Sequence, residues 1–152
     1  MHRLTLIVLV TAGSLTAHAG GVAEKKQRAA VDEAAAKAAA DIKDCGKRFA
    51  VVFDWKAYDG LDWAKMGRNK DEYMPSEVSN LAELGKGIDR LCSDKDYRAA
   101  LAKIGTIVYR STNDESIRVK ATITGSTMRL DNYSFGSTRS ADDYETAAKA
   151  AL

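Results

Sequence analysis

The chain has 152 residues, 45% of them hydrophobic and 29% charged, and its 23 basic and 21 acidic side chains leave a net charge of +2. Such a balance gives no electrostatic reason to expect nucleic acid or an anionic membrane as partner. The length suits one domain with a real core, and it leaves little wall for a deep catalytic cleft.

Met1-His2-Arg3 is a short basic start, Leu4 to Leu15 is an apolar run, and Ala17-His18-Ala19 supplies a small-x-small pattern before Gly20. Together they predict a secretory signal peptide, residues 1–19, with cleavage after Ala19. The apolar run is too short to span a bilayer, and no later stretch is long and apolar enough, so no stable membrane insertion is expected after cleavage. Gly20 rather than Cys at the new N-terminus argues against a lipid anchor. The protein is therefore expected in the periplasm or outside the cell.

Both histidines, His2 and His18, fall inside that segment. A mature chain without histidine cannot build a Ser–His–Asp triad, a Cys–His dyad or a His-ligated metal site. Cys45 and Cys92 are the only cysteines. In an exported protein such a pair reads as a disulfide rather than two free buried thiols. The bridge would close a loop of about 48 residues and stabilise by roughly 4 kcal/mol in the chain-entropy model. It also leaves no thiol for chemistry.

Gly20 to Asp44 is alanine-rich and predicts a long helix. Val31, Ala35, Ala38, Ile42 and Cys45 make one narrow apolar stripe, and Gly46 suits the left-handed position past the helix end. Lys47 to Trp55 reads as a strand. Phe49, Val51 and Phe53 fall on one face and Ala50 and Val52 on the other, which predicts a central strand covered on both faces. Lys56 to Met74 reads as a long loop with one helical turn near 61–65. Pro75 then opens a helix carrying Val78, Leu81, Leu84, Ile88, Leu91 and Cys92, with Gly85 and Gly87 expected at close contacts. Ser93-Asp94-Lys95-Asp96 predicts the cap of a short helix lined by Tyr97, Leu101 and Ile104.

From Thr106 the period switches to two. Ile117, Val119, Ala121 and Ile123 alternate with polar residues, and Gly125-Ser126 fits a two-residue type II′ hairpin. That turn would set Ile123 opposite Met128, Ala121 opposite Leu130 and Lys120 opposite Asp131. Thr106–Ser111 is read as the preceding strand of the same meander, joined to it by a first hairpin. Ser140 caps a last helix with Asp142 and Asp143 in its first turn. The expected fold is α+β: residues 20–152 form a single domain in which helices cover an antiparallel sheet of three to four strands, the C-terminal meander plus strand 47–55.

The most distinctive chemistry lies in Asp54, Trp55, Tyr58, Asp59, Asp62 and Trp63, where both tryptophans sit among three aspartates. Aromatic faces beside carboxylates can grip a protein partner or stack on a sugar. The plainer alternative is that Trp55 and Trp63 cover one edge of the sheet. The aspartate spacing does not match an EF-hand loop, so no calcium site is assigned. Nothing selects two carboxylates as the acid and base of a glycosidase. Gly60, Gly67, Gly85 and Gly87 form no dinucleotide or phosphate-loop fingerprint, so no cofactor, metal or catalytic residue is assigned. The expected function is a small, non-enzymatic, exported binding protein for a protein partner, such as one of inhibitor or immunity type. A cell-envelope glycan-binding module or carboxylate-based glycan hydrolase is the alternative.

Overall fold

A computed structural model describes residues 15–65, 67, 69–133 and 138–152, with the side chains of 15–20 left out. Most of the expected signal peptide therefore lies outside the described residues. The elements are α1 (Leu15–Asp41), β1 (Ala50–Phe53), α2 (Trp55–Asp59), α3 (Lys70–Cys92), α4 (Lys95–Leu101), β2 (Thr106–Thr112), β3 (Val119–Thr124), β4 (Thr127–Tyr133) and α5 (Ala141–Ala151). The fold is α+β, and a disulfide joins Cys45 to Cys92. Among the described residues, no helix is long and apolar enough to cross a membrane.

The sheet is mixed, with strand order β1-β2-β4-β3. This corrects the expected antiparallel meander. β2 runs parallel to both β1 and β4, and only β3 and β4 form a hairpin. The first hairpin does not exist, because β4 inserts between β2 and β3. Adjacent strands lie about 4.8 Å apart, so the connection 113–118 has ample reach to step across an intervening strand. The β3–β4 register is the expected one: Ile123 opposes Met128, Ala121 opposes Leu130 and Lys120 opposes Asp131. Gly125 supplies the positive φ, +59°, that the first central residue of this turn demands.

The strand expected over 47–55 is shorter, and it is an edge strand rather than a central covered one. Phe49, Val51 and Phe53 do face the core, but Ala50 is exposed and Val52 is 47% exposed. The reason is that the helices covering the sheet, α1, α3 and α5, lie on one side. α1 lies over β1, α5 over β3 and β4, and α3 is wedged between α1 and α5. The buried strand residues Val51, Phe53, Ile107, Tyr109, Met128 and Leu130 meet the α1 stripe of Val31, Ala35 and Ala38 and the α3 stripe of Leu81, Leu84 and Ile88. The other face of the sheet carries no layer among the described residues.

Glycine allows the helices to approach closely. A Cβ on Gly85 would lie 3.1 Å from the Cα and carbonyl oxygen of Ala38, and one on Gly87 would lie 2.5 Å from the carbonyl oxygen of Ala141. Gly46 does take a left-handed conformation, φ +69°, but α1 ends at Asp41 rather than Asp44, so this glycine turns the connection to β1 instead of capping the helix. α3 starts at Lys70, not at Pro75. Pro75 cannot donate to the Asp71 carbonyl, but it faces solvent, and the burial of Tyr73 and Met74 carries the helix through it. The cap of α4 is Asp94 rather than Ser93: Asp94 Oδ1 accepts from the Asp96 amide at 2.9 Å. At α5 the amide and hydroxyl of Ser140 donate to Asp143 Oδ2 at 2.9 and 3.0 Å.

Candidate functional site

The aromatic–acidic segment begins where β1 ends. Asp54 closes the strand and caps α2, its Oδ1 accepting from the Ala57 amide at 2.9 Å. This helix and the turn after it occupy the part of 56–74 expected as a loop. Trp55 packs on Phe53 with ring centroids 4.5 Å apart, and its Nε1 donates to Asp32 of α1 at 2.8 Å. The Arg28 guanidinium lies 4.5 Å over the same ring. Tyr58 is fully buried and donates its hydroxyl to the Lys70 carbonyl. Burial, reinforced by the charge of Glu77, pushes its pKa far above the ordinary phenol range. Trp63 packs between Tyr58 and Tyr73 with tilted rings, centroids 4.8 and 5.5 Å away, and its Nε1 donates to the Tyr58 carbonyl at 3.1 Å.

The carboxylates of this segment do not converge. Asp59 turns towards α1, pairs with Arg28 and lies 3.7 Å from Lys70. Hydrogen bonding to Asp59 raises the Arg28 pKa, while Lys70 and then Arg28 lower that of Glu24. Asp62 accepts from the Lys65 amide at 3.1 Å. The structure thus brings Trp55, Tyr58 and Trp63 together as one aromatic seam against α1 and α3. It sends Asp54, Asp59 and Asp62 in three directions. Among the described residues, no three His, Cys, Asp or Glu side chains gather in a metal-binding group.

The outer side of the same segment forms one wall of a groove of about 470 Å³. Asp54, Lys56, Ala57, Gly60 and Leu61 face Arg110, Ser111, Thr112, Asn113 and Arg129 across it. The groove lies at the carboxyl ends of the parallel strands β1 and β2, where open parallel sheets commonly bind ligands. The charge arrangement behind its arginines is unequal. Asp131, only 5% exposed, accepts from Arg110 at 3.5 Å and from Arg129 at 3.1 Å. One carboxylate thus faces two half-exposed guanidiniums, and Lys56 adds a further exposed cation beside the carboxylate of Asp54. The groove is consequently suited to an anionic group.

A second polar cluster lies on the helix-covered face. Glu77, fully buried, accepts from the Tyr109 hydroxyl, from Ser111 Oγ at 2.7 Å and from Asn80 Nδ2 at 3.4 Å. Asn132 donates to the Tyr109 hydroxyl, and Arg139 donates its amide to Asn80 Oδ1 at 2.8 Å and its Nε to Asn132 Oδ1 at 3.4 Å. Tyr144 is buried beside Tyr109, with ring centroids 6.5 Å apart, and burial followed by the Glu77 charge raises its pKa well above normal. Every member is closed off from solvent, so the cluster ties α3, the sheet and the start of α5 together and offers no open face to a ligand.

The sequence reading missed both the groove basics and the buried cluster. The signal for Glu77 was present: Met74, Glu77, Leu81, Leu84, Ile88 and Leu91 recur at alternating spacings of three and four, so a carboxylate occupies a core position. Ser111 and Asn132 likewise continue the inward alternation of Ile107–Tyr109 and Met128–Leu130, and they oppose each other across β2 and β4. Arg110 and Arg129 carried no local signal, because only the unexpected β2–β4 pairing makes them neighbours. Comparisons with protein-family models, with curated proteins and with solved structures find no match for this chain.

Proposed function

We propose that this chain is a non-enzymatic binding protein, exported through its N-terminal segment, that holds an acidic segment of a protein partner in the groove between α2 and the end of β2. The observation that carries this reading is the excess of cations over carboxylates at that groove, where Arg110, Arg129 and Lys56 stand against Asp131 and Asp54. Arg presents a planar fork that matches a carboxylate, and a half-exposed Arg whose own partner is already shared has donors to spare. The Cys45–Cys92 bridge is consistent with an oxidising compartment.

The hydrolase alternative has less support, because both carboxylates at the groove are already engaged: Asp54 caps α2 and Asp131 accepts from Arg110 and Arg129. So does the sugar-stacking alternative, since Arg28 covers Trp55 and two tyrosines flank Trp63. The test is affinity capture from an envelope and culture-medium fraction with disulfide-bonded protein, comparing wild type with Lys56→Glu/Arg129→Gln. The variant is first required to match the wild-type melting temperature. A protein retained by the wild type and lost with the variant supports the reading. An identical protein retained by both contradicts the groove assignment, and envelope glycan as the sole captured material favours the sugar-binding alternative.

A further inference from the structure

The two edges of the sheet differ. β3 carries Lys120 near its start and is followed by the Gly125 turn, whereas β1 reads Ala50-Val51-Val52-Phe53, with no charge between Arg48 and Asp54. Exposed edge strands are ordinarily blunted by an inward charge, a bulge, a proline or a covering element, and β1 has no such charge, bulge or proline. The wall of α1 beside it is alanine: Ala36, Ala39 and Ala40 flank an open groove of about 660 Å³ next to the chain leading into β1. Lys47 does not shield the edge either, because its ammonium is drawn onto the carbonyls of Ala102 and Ile104 at 2.8 and 2.5 Å.

The direction of the backbone groups follows from the pairing. The amides of Ala50 and Asp54 donate towards β2, to the carbonyls of Gly105, just before that strand, and Tyr109, at 3.0 and 2.9 Å. By strand alternation those of Val51 and Phe53 point to the free edge. An incoming strand must bond to these.

We propose that β1 is a homodimer edge, and that β1 of a second copy pairs antiparallel with it, Val51 opposite Val51. That register is self-complementary on the open face. Ala50 meets Val52 of the second copy, and Arg48 meets Asp54, each twice by the two-fold axis. Shifting the strand by two residues one way puts Arg48 against Lys56, and shifting it the other way puts Arg48 against Val52. Asp54 can serve, since its Oδ1 caps α2 and its Oδ2 remains for Arg48. The result is a continuous eight-stranded sheet, twice the four strands of one copy, with both charged grooves on the same open face. A bivalent partner surface follows from that arrangement.

In this register Ala50 and Val52 are a non-hydrogen-bonded pair, the kind whose Cβ atoms come closest. Ala50→Cys and Val52→Cys are therefore made as separate proteins, both at exposed positions. Mixed under mild oxidation, they should yield a disulfide-linked heterodimer, while each alone should yield little crosslinked product. Sedimentation of the wild-type disulfide-bonded protein should show a concentration-dependent dimer, weakened at least tenfold by Val52→Lys and severalfold by Arg48→Glu. A monomer at all concentrations up to about 1 mM overturns the proposal. So does a dimer indifferent to Val52→Lys, or equal crosslinking by each cysteine variant alone.

Discussion

Arg110 and Asp131 oppose each other on the outer face of the β2–β4 pair, and one residue further on Ser111 and Asn132 oppose each other on the inner face. The inner pair is sealed under α3, where Ser111 meets Glu77 and Asn132 meets the Tyr109 hydroxyl. The outer pair is left with charge that the fold does not use up. Buried polar groups must be satisfied within the chain, because an unpaired one costs about 1–3 kcal/mol. Half-exposed groups face no such demand and remain open to a ligand. The same strands thus carry structure on one face and, in the function proposed, recognition on the other.

Glu77→Ala should show the largest difference between the faces. It strips the acceptor from Tyr109, Ser111 and Asn80 at once and should cost about 3–5 kcal/mol in a urea titration. A cost below about 1 kcal/mol would mean that the cluster does not hold α3 to the sheet. Loss of the bridge in Cys45→Ala/Cys92→Ala should cost roughly 4 kcal/mol by the same titration, less whatever strain the native bond carries. Gly87→Ala should cost about 1–3 kcal/mol, because its Cβ would press on the Ala141 carbonyl and force α3 and α5 apart. An unchanged midpoint would show that this contact is loose.

The inner face should also govern alkaline stability. Burial raises the pKa of both Tyr58 and Tyr144. A group whose proton is held more tightly in the folded state stabilises fully below its unfolded pKa of about 10, and that contribution is lost as pH climbs above it. These two phenols should therefore stay protonated until the chain unfolds, giving a cooperative step in absorbance at 295 nm that coincides with loss of circular dichroism. A smooth titration of every tyrosine near pH 10 would contradict their burial. The smallest stability effect belongs to the outer face: Lys56→Glu should shift stability by less than about 0.5 kcal/mol.

Much of the fold is legible in the sequence because local physics determines it. The alanine stripe of α1, the Gly125 turn and the β3–β4 register all follow from spacing and from turn chemistry that only glycine satisfies easily. Sheet order is different. Whether β3 or β4 lies beside β2 depends on which strand better fills the space under α3 and α5, a tertiary choice that leaves little trace in a run of alternating residues. That choice also decides the groove, since Arg110 and Arg129 become neighbours only through it. The aromatic segment shows the converse. Its composition drew attention to 54–63, yet Tyr58 faces the core and each indole N–H is satisfied inside the chain. The part that opens outward is the plainer stretch of Lys56, Ala57, Gly60 and Leu61.

The most direct measurement is hydrogen exchange on the complex with a captured partner, read by mass spectrometry against the free protein. Slowed exchange confined to 54–61, 110–113 and the neighbourhood of Arg129 is the expected result, with the peptides carrying Glu77 and Asn132 unchanged. Protection placed instead on the exposed sides of α1 or α5, with the groove peptides exchanging as in the free protein, would contradict the assignment of recognition to the open face.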